Sequence, residues 1–121
     1  MKFNFWKGKK IVVTGGAGFL GSHLVKELHK RGVKKIVIPR SKDCDLRDKK
    51  NCIKITKNSQ IVIHLAGNVG GIGYNQAYPA TLFYDNLMMG VNIMESCRLN
   101  LVGKLVLIGT ICSYPKFTPI P

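Results

Sequence analysis

The run Thr14-Gly15-Gly16-Ala17-Gly18-Phe19-Leu20-Gly21 constrains this chain more than any other stretch. It follows the apolar, β-branched segment Ile11-Val12-Val13. It opens a segment, 19–31, in which Leu20, Leu24, Val25 and Leu28 fall on one helical stripe. Three glycines at three-residue spacing are informative only in such a strand–turn–helix setting. Gly15 permits the tight turn out of the strand. Gly18 leaves room for a pyrophosphate to approach backbone N–H groups, and Gly21 lets the helix pack close to the strand. The helix start adds unpaired donors and a partial positive charge. On this reading Gly15, Gly16, Gly18, Phe19, Leu20 and Gly21 form a phosphate cradle. The bland alternative is a packing turn that binds nothing.

The remainder alternates apolar runs with helical stretches, which predicts βαβ units and a parallel sheet. Strands are expected near 10–14, 35–39, 43–46, 60–66 and 104–109, and helices over 19–31, 48–56 and 79–99. The fold class is therefore α/β, a Rossmann-type doubly wound parallel sheet of about five strands. Ile61-Val62-Ile63 and Leu105-Val106-Leu107-Ile108 are continuous apolar runs, as suits strands covered on both faces. Gly32 is placed to cap the first helix at its C-terminus, and Pro79 to start the last one. That last helix has two apolar faces. Ala80, Phe83, Leu87, Val91 and Met94 form one; Leu82, Met89, Ile93 and Cys97 form the other. One can lie on the sheet, and the other needs another helix or another subunit.

At 121 residues the chain is one domain at most. Nineteen Lys and Arg against six acids give a net charge of +13. The basic residues are scattered, with no basic helix interleaved with aromatics, so a solvated lysine-rich surface is expected rather than a nucleic-acid partner. No apolar run approaches the roughly 20 residues of a membrane span. Cys44, Cys52, Cys97 and Cys112 contain no C-x-x-C pair, which argues against a zinc or other metal site and against a disulfide framework. A reducing, cytoplasmic setting is expected.

In NAD-binding units an acid about 20 residues past the glycines takes the ribose 2′-hydroxyl. Here Ile36-Val37-Ile38-Pro39 is followed by Arg40 and Ser41, and the first acid is Asp43. A guanidinium fork suits a 2′-phosphate, so NADP(H) is the expected cofactor. The alternative is a solvated surface arginine.

With these motifs placed, the chain resembles the extended short-chain dehydrogenase/reductase family, also called the NAD-dependent epimerase/dehydratase family, and within it the GDP-L-fucose synthase branch. The glycine run, Asp45-Leu46-Arg47-Asp48 and His64-Leu65-Ala66-Gly67 carry the wider resemblance. Val69-Gly70-Gly71-Ile72, Tyr78-Pro79, Tyr84-Asp85-Asn86-Leu87 and Gly109-Thr110-Ile111-Cys112-Ser113-Tyr114-Pro115 carry the narrower one. The resemblance implies a strand order of 3-2-1-4-5, a nucleotide-sugar substrate with GDP-sugars favoured, and a homodimer through the 79–99 helix.

It also implies residue roles. Asp45 and Leu46 would contact adenine, although Asp45 or Asp48 could equally cap a helix. Leu65, Ala66 and Gly67, with Ile108 and Gly109, would let the cofactor pass the ends of their strands. Thr110 would hydrogen-bond the sugar at C4, and Cys112 would act as acid/base in the epimerisation. Asn86 and Asn92 would support the site, and His64 is expected to be a packed core histidine. The family places a small hydroxyl residue where Ile111 stands. Its catalytic Tyr-x-x-x-Lys has no match: four residues after Tyr74, Tyr78, Tyr84 and Tyr114 stand Tyr78, Leu82, Met88 and Thr118. The expectation is an N-terminal, cofactor-binding part, 1–121, without the C-terminal strands and substrate lobe, inactive alone. A non-catalytic NAD(P)-binding module is the alternative.

Overall fold

A computed structural model describes residues 5–117. Four parallel strands, β1 (Lys10–Thr14), β2 (Lys35–Val37), β3 (Ile61–His64) and β4 (Lys104–Leu107), form one sheet in the order β2-β1-β3-β4. Helices α1 (Phe19–Lys30), α2 (Lys49–Thr56), α3 (Ile72–Ala77) and α4 (Pro79–Leu99) connect them.

Alternation along the central strands builds two cores. Ile11 and Val13 of β1 and Ile61 and Ile63 of β3 face one side, where they meet Leu28 of α1 and Val33. Val12 and Val62 face the other side, against Cys52 of α2 and Ile93 and Cys97 of α4, with Leu46. Helices on both faces make every residue of Ile11-Val12-Val13 a core residue, which is why those runs carry no polar alternation.

The helix ends follow from local chemistry. Gly32 adopts φ +86 past the end of α1. The Gly32 amide donates to the carbonyl of His29, and that of Val33 to the carbonyl of Leu28. Val33 and Leu28 are buried together, the apolar contact that goes with this closure. Asp48 caps α2 by accepting from the Lys50 amide at 2.8 Å. Pro79 opens α4 as expected.

Two sequence expectations are corrected. The stretch 43–46 is not a strand: the amides of Asp43 and Cys44 both turn back to the carbonyl of Arg40. Leu46 reaches the core without joining the ladder, and the four remaining strands keep the expected relative order. The short α3 was not anticipated. Glycines flank and interrupt it, and it buries no side chain, so it carries no apolar period.

Gly21 of α1 sits against the turn that follows β1. A Cβ there would run into the carbonyl oxygen of Gly15 and lie 2.5 Å from the Cα of Gly16. Gly21→Ala is therefore expected to destabilise the fold by about 1–3 kcal/mol. Gly90, inside α4, has open space where a Cβ would stand. Gly90→Ala should stabilise by roughly 0.5–1 kcal/mol. Denaturant titration of both variants checks the pair.

Candidate functional site

The carboxyl ends of β1 and β3 meet in a junction that shapes the floor of a crevice. Gly15 turns the chain at φ +69, and a Cβ there would lie 2.8 Å from both the Ala66 amide nitrogen and the Leu65 carbonyl carbon. Only glycine permits both the turn and the approach. Beside it the buried Thr14 hydroxyl accepts from the amides of Leu65 and Ala66, each at 3.2 Å. Its proton is then left for Nδ1 of His64, 2.6 Å away. Nδ1 must accept, which places the His64 proton on Nε2. Burial holds the His64 pKa below the ordinary imidazole value. His64 is thus only partly buried and belongs to neither apolar core, contrary to the expectation of a packed core histidine; the polar strand-end junction with Thr14 is what holds it.

Above this junction lies a cavity of about 740 Å³. Gly15, Gly18, Phe19, Leu20 and Gly21 form one wall. Arg40, Ser41, Asp45 and Leu46 form the second, and Leu65, Ala66, Gly67 and Ile108 the third. Thirteen of the residues singled out as cofactor-binding thus border one space. The α1 terminus has no side-chain cap and no acid in its first turn. The first amide of this region to close an intrahelical bond is that of Ser22, onto Gly18. Donors in the first turn are left for a ligand. Among the described residues no acidic group pairs with Arg40.

Four singled-out residues lie outside the cavity lining. Gly16 packs under Ile38, whose side chain would be 2.9 Å from an added Cβ. Gly109, Thr110 and Cys112 follow β4 and are exposed. There the Cys112 amide donates to the Thr110 hydroxyl at 3.2 Å, at the start of a 3-10 turn, Ile111–Ser113. Cys52 and Cys97 are core thiols, and Cys44 is partly buried beside them at the cavity. Burial pushes Cys52 up to about 12 and Cys97 up to about 11, and raises Cys44 as well. All four cysteines are free.

Helix α4 fixes both loops of the crevice. Asn92 donates to the carbonyls of Leu46 and Arg47 at 3.1 and 2.8 Å. Asn86 accepts from the Asn68 amide at 2.7 Å and donates to its carbonyl at 2.8 Å. The supporting role expected of these two asparagines has a concrete form: each satisfies loop backbone that no strand pairs.

Arg47, Asn68 and Asp85 also border the cavity, and the sequence reading gave them no role. Arg47 pairs with Asp45 at 2.7 Å and with Asp85 at 3.0 Å, and Asn68 donates to the other oxygen of Asp85 at 2.9 Å. Bonds from Arg47 hold both carboxyls below the usual carboxylate range. Asp45 is therefore an ion-pair partner of Arg47, while Asp48 is the helix cap. Both motifs were visible, but only the fold brings positions 47 and 85 together.

On α4 the face containing Ile93 and Cys97 lies on the sheet. The face with Phe83, Leu87, Val91 and Met94 is exposed. Among the described residues no helix is long and apolar enough to cross a membrane, and no group of three or more His, Cys, Asp or Glu is placed to hold a metal ion.

Comparison with known proteins agrees with this geometry. The profile of the family described as NAD dependent epimerase/dehydratase matches residues 11–121. A putative GDP-L-fucose synthase 2 from Arabidopsis thaliana is 35% identical over 98% of this chain and 37% of its own length. GDP-mannose 3,5-epimerase 1 from Oryza sativa subsp. indica is 31% identical over 93% of this chain and 34% of its own. Among solved structures, MlghC, a GDP-mannoheptose C4 reductase from Campylobacter jejuni with NADP bound, superposes with a TM-score of 0.85. It is 31% identical, over 93% of this chain and 36% of its own. The chain spans about a third of the length of these relatives.

The partly buried His64 gives this region a pH signature. The unfolded chain takes up a proton at His64 near pH 6.5, whereas the folded chain resists it. This part of the stability is complete above about pH 6.5 and is lost as the pH falls towards the depressed folded value. His64→Asn, whose amide oxygen still accepts from Thr14, should flatten the decline in denaturation midpoint between about pH 6.5 and 5. An unchanged slope would assign the decline to another group.

Proposed function

The chain belongs to the NAD dependent epimerase/dehydratase family, and from that premise we propose that its crevice binds NADP(H) as the cofactor site of a GDP-sugar epimerase/reductase of the GDP-L-fucose synthase kind. The observation that carries this reading is the single cavity that joins the uncapped α1 terminus to Arg40. The cradle fits a dinucleotide: Gly15 and Gly21 stand where a Cβ would collide with backbone, and Gly18 keeps the helix entrance clear. NADPH when bound would supply a hydride for reduction of a sugar C4 ketone.

The chain's own residues have defined tasks on this reading. The N–H groups at Phe19 and Leu20 hold the pyrophosphate, and Arg40 with Ser41 holds the 2′-phosphate. Asp45 and Leu46 border the adenine, and Leu65, Ala66, Gly67 and Ile108 line the path of the nicotinamide half. Thr110 hydrogen-bonds the sugar oxygen at C4. Cys112 exchanges a proton at the carbon beside that ketone, a task open to an exposed free thiol. Support for the GDP-sugar class comes from the names of the similar proteins. The exposed face of α4 would be covered by the same helix of a second subunit. Four free thiols suit a reducing, cytoplasmic setting.

Titrating NADPH and NADH against the wild type and Arg40→Ala tests the cofactor assignment. NADPH should bind more tightly to the wild type. Arg40→Ala should weaken NADPH by about 2–5 kcal/mol at most, with little change for NADH. Equal affinities in the wild type would overturn the assignment.

The proposal further assigns residues 1–121 no epimerase or reductase turnover by themselves, since Thr110 and Cys112 lack a Tyr-x-x-x-Lys partner. Loss of such a partner commonly costs several orders of magnitude in rate. Steady NADPH oxidation with a GDP-4-keto-6-deoxy sugar would contradict this. Binding without turnover would also suit a non-catalytic NAD(P)-binding module, the alternative reading.

A further inference from the structure

Arg47 is the hub of an ion-paired strap across the crevice. Its Nε is 3.0 and 3.1 Å from the two oxygens of Asp45, and its Nη2 is 2.7 Å from Oδ2. Its Nη1 reaches Asp85 of α4 at 3.0 Å, and the other Asp85 oxygen accepts from Asn68. Arg47 thus links the loop after β2 to helix α4, and Asp85 extends the link to Asn68 in the loop after β3. Asp45 and Asp85 both border the cavity, and the Asp85 side chain is only 10% exposed. A half-buried carboxylate loses the solvent that would screen it, so its charge is felt across the site. Asp85, and the more exposed Asp45 less strongly, would oppose a dinucleotide that brings several negative charges.

We propose that Arg47 is a positioning residue for the dinucleotide: it neutralises Asp45 and Asp85 and ties the adenine-side loop to α4, so that the cavity accepts an anionic ligand. The proposal rests on the NADP(H) reading above. The guanidinium is held by protein carboxylates on two sides, so it shapes the wall rather than grasping the 2′-phosphate. Arg40 keeps that task. Positions 45 and 85 lie on different elements, so the strap fixes the width of the cavity as well as its charge.

The experiment measures NADPH affinity in the whole chain for the wild type, Arg47→Ala, Arg47→Lys and Arg47→Ala combined with Asp85→Asn, with a thermal melt of each. Arg47→Ala should bind NADPH roughly tenfold more weakly, as expected of a close, poorly screened charge. Arg47→Lys, which keeps the charge, should retain most of the affinity. The double variant should recover most of what Arg47→Ala loses, because it removes the more buried of the two carboxylates left unpaired. The loss in Arg47→Ala should also shrink at high salt, which a purely structural defect would not do. Wild-type affinity in Arg47→Ala, or no recovery in the double variant, overturns the proposal. If Arg47→Ala does not fold, Arg47→Gln against Arg47→Lys decides: equal binding overturns it, and weaker binding by the glutamine variant supports it. Failure of the wild type to bind NADPH would instead overturn the cofactor reading and leave Arg47 without a ligand to position.

Discussion

The structure depends on one close approach, that of the turn after β1 to the backbone leaving β3. Gly15 passes the Leu65–Ala66 peptide at a distance no side chain would tolerate, and the Thr14 hydroxyl accepts from the amides of Leu65 and Ala66. A buried hydroxyl that accepts two N–H groups and donates to His64 has its bonding capacity used, so the junction is rigid. The rigidity matters because the two strand ends are the floor of the crevice. If the turn rose, α1 would tilt away and its first-turn donors would leave the cavity.

The walls hang on this floor by polar contacts instead of strand pairing. Asn86 and Asn92 project from α4 to satisfy loop carbonyls and amides on either side of the cavity. Arg47 adds charge pairing between its own loop and Asp85 of α4, and Asp85 in turn holds Asn68. Helix α4 therefore does two jobs. Ile93 and Cys97 pack it on the sheet, while Asn86 and Asn92 organise loops that would otherwise have unsatisfied backbone. The outward face with Phe83 and Val91 contributes to neither.

Much of this was legible in the sequence, for physical reasons. Strands buried on both faces appear as unbroken apolar runs, and Ile11-Val12-Val13 and Ile61-Val62-Ile63 are such runs. Gly32 and Pro79 announce helix boundaries because backbone geometry allows few other uses for them there. The stretch 43–46 misled because Leu46 is a core residue carried by a turn, and apolarity alone does not distinguish a strand from a loop that dips inward. Helix α3 was hidden because it buries nothing. At the site, the glycine cradle and Arg40 are local signals and could be read directly. The strap among Arg47, Asp85 and Asn68 joins positions 38 and 17 residues apart, and only the folded chain reveals it.

The central claim is that the cavity between α1, the 40–47 loop and the 65–68 loop receives a 2′-phosphorylated dinucleotide. Amide NMR of the isotopically labelled chain during a titration with NADP⁺ tests this most directly. The account predicts that the largest changes fall on Gly15 to Gly21, on Arg40 to Arg47 and on Leu65 to Asn68, with the amides of Phe19 and Leu20 among the most affected. Changes confined to the lysine-rich surface, or to the outward face of α4, would contradict it.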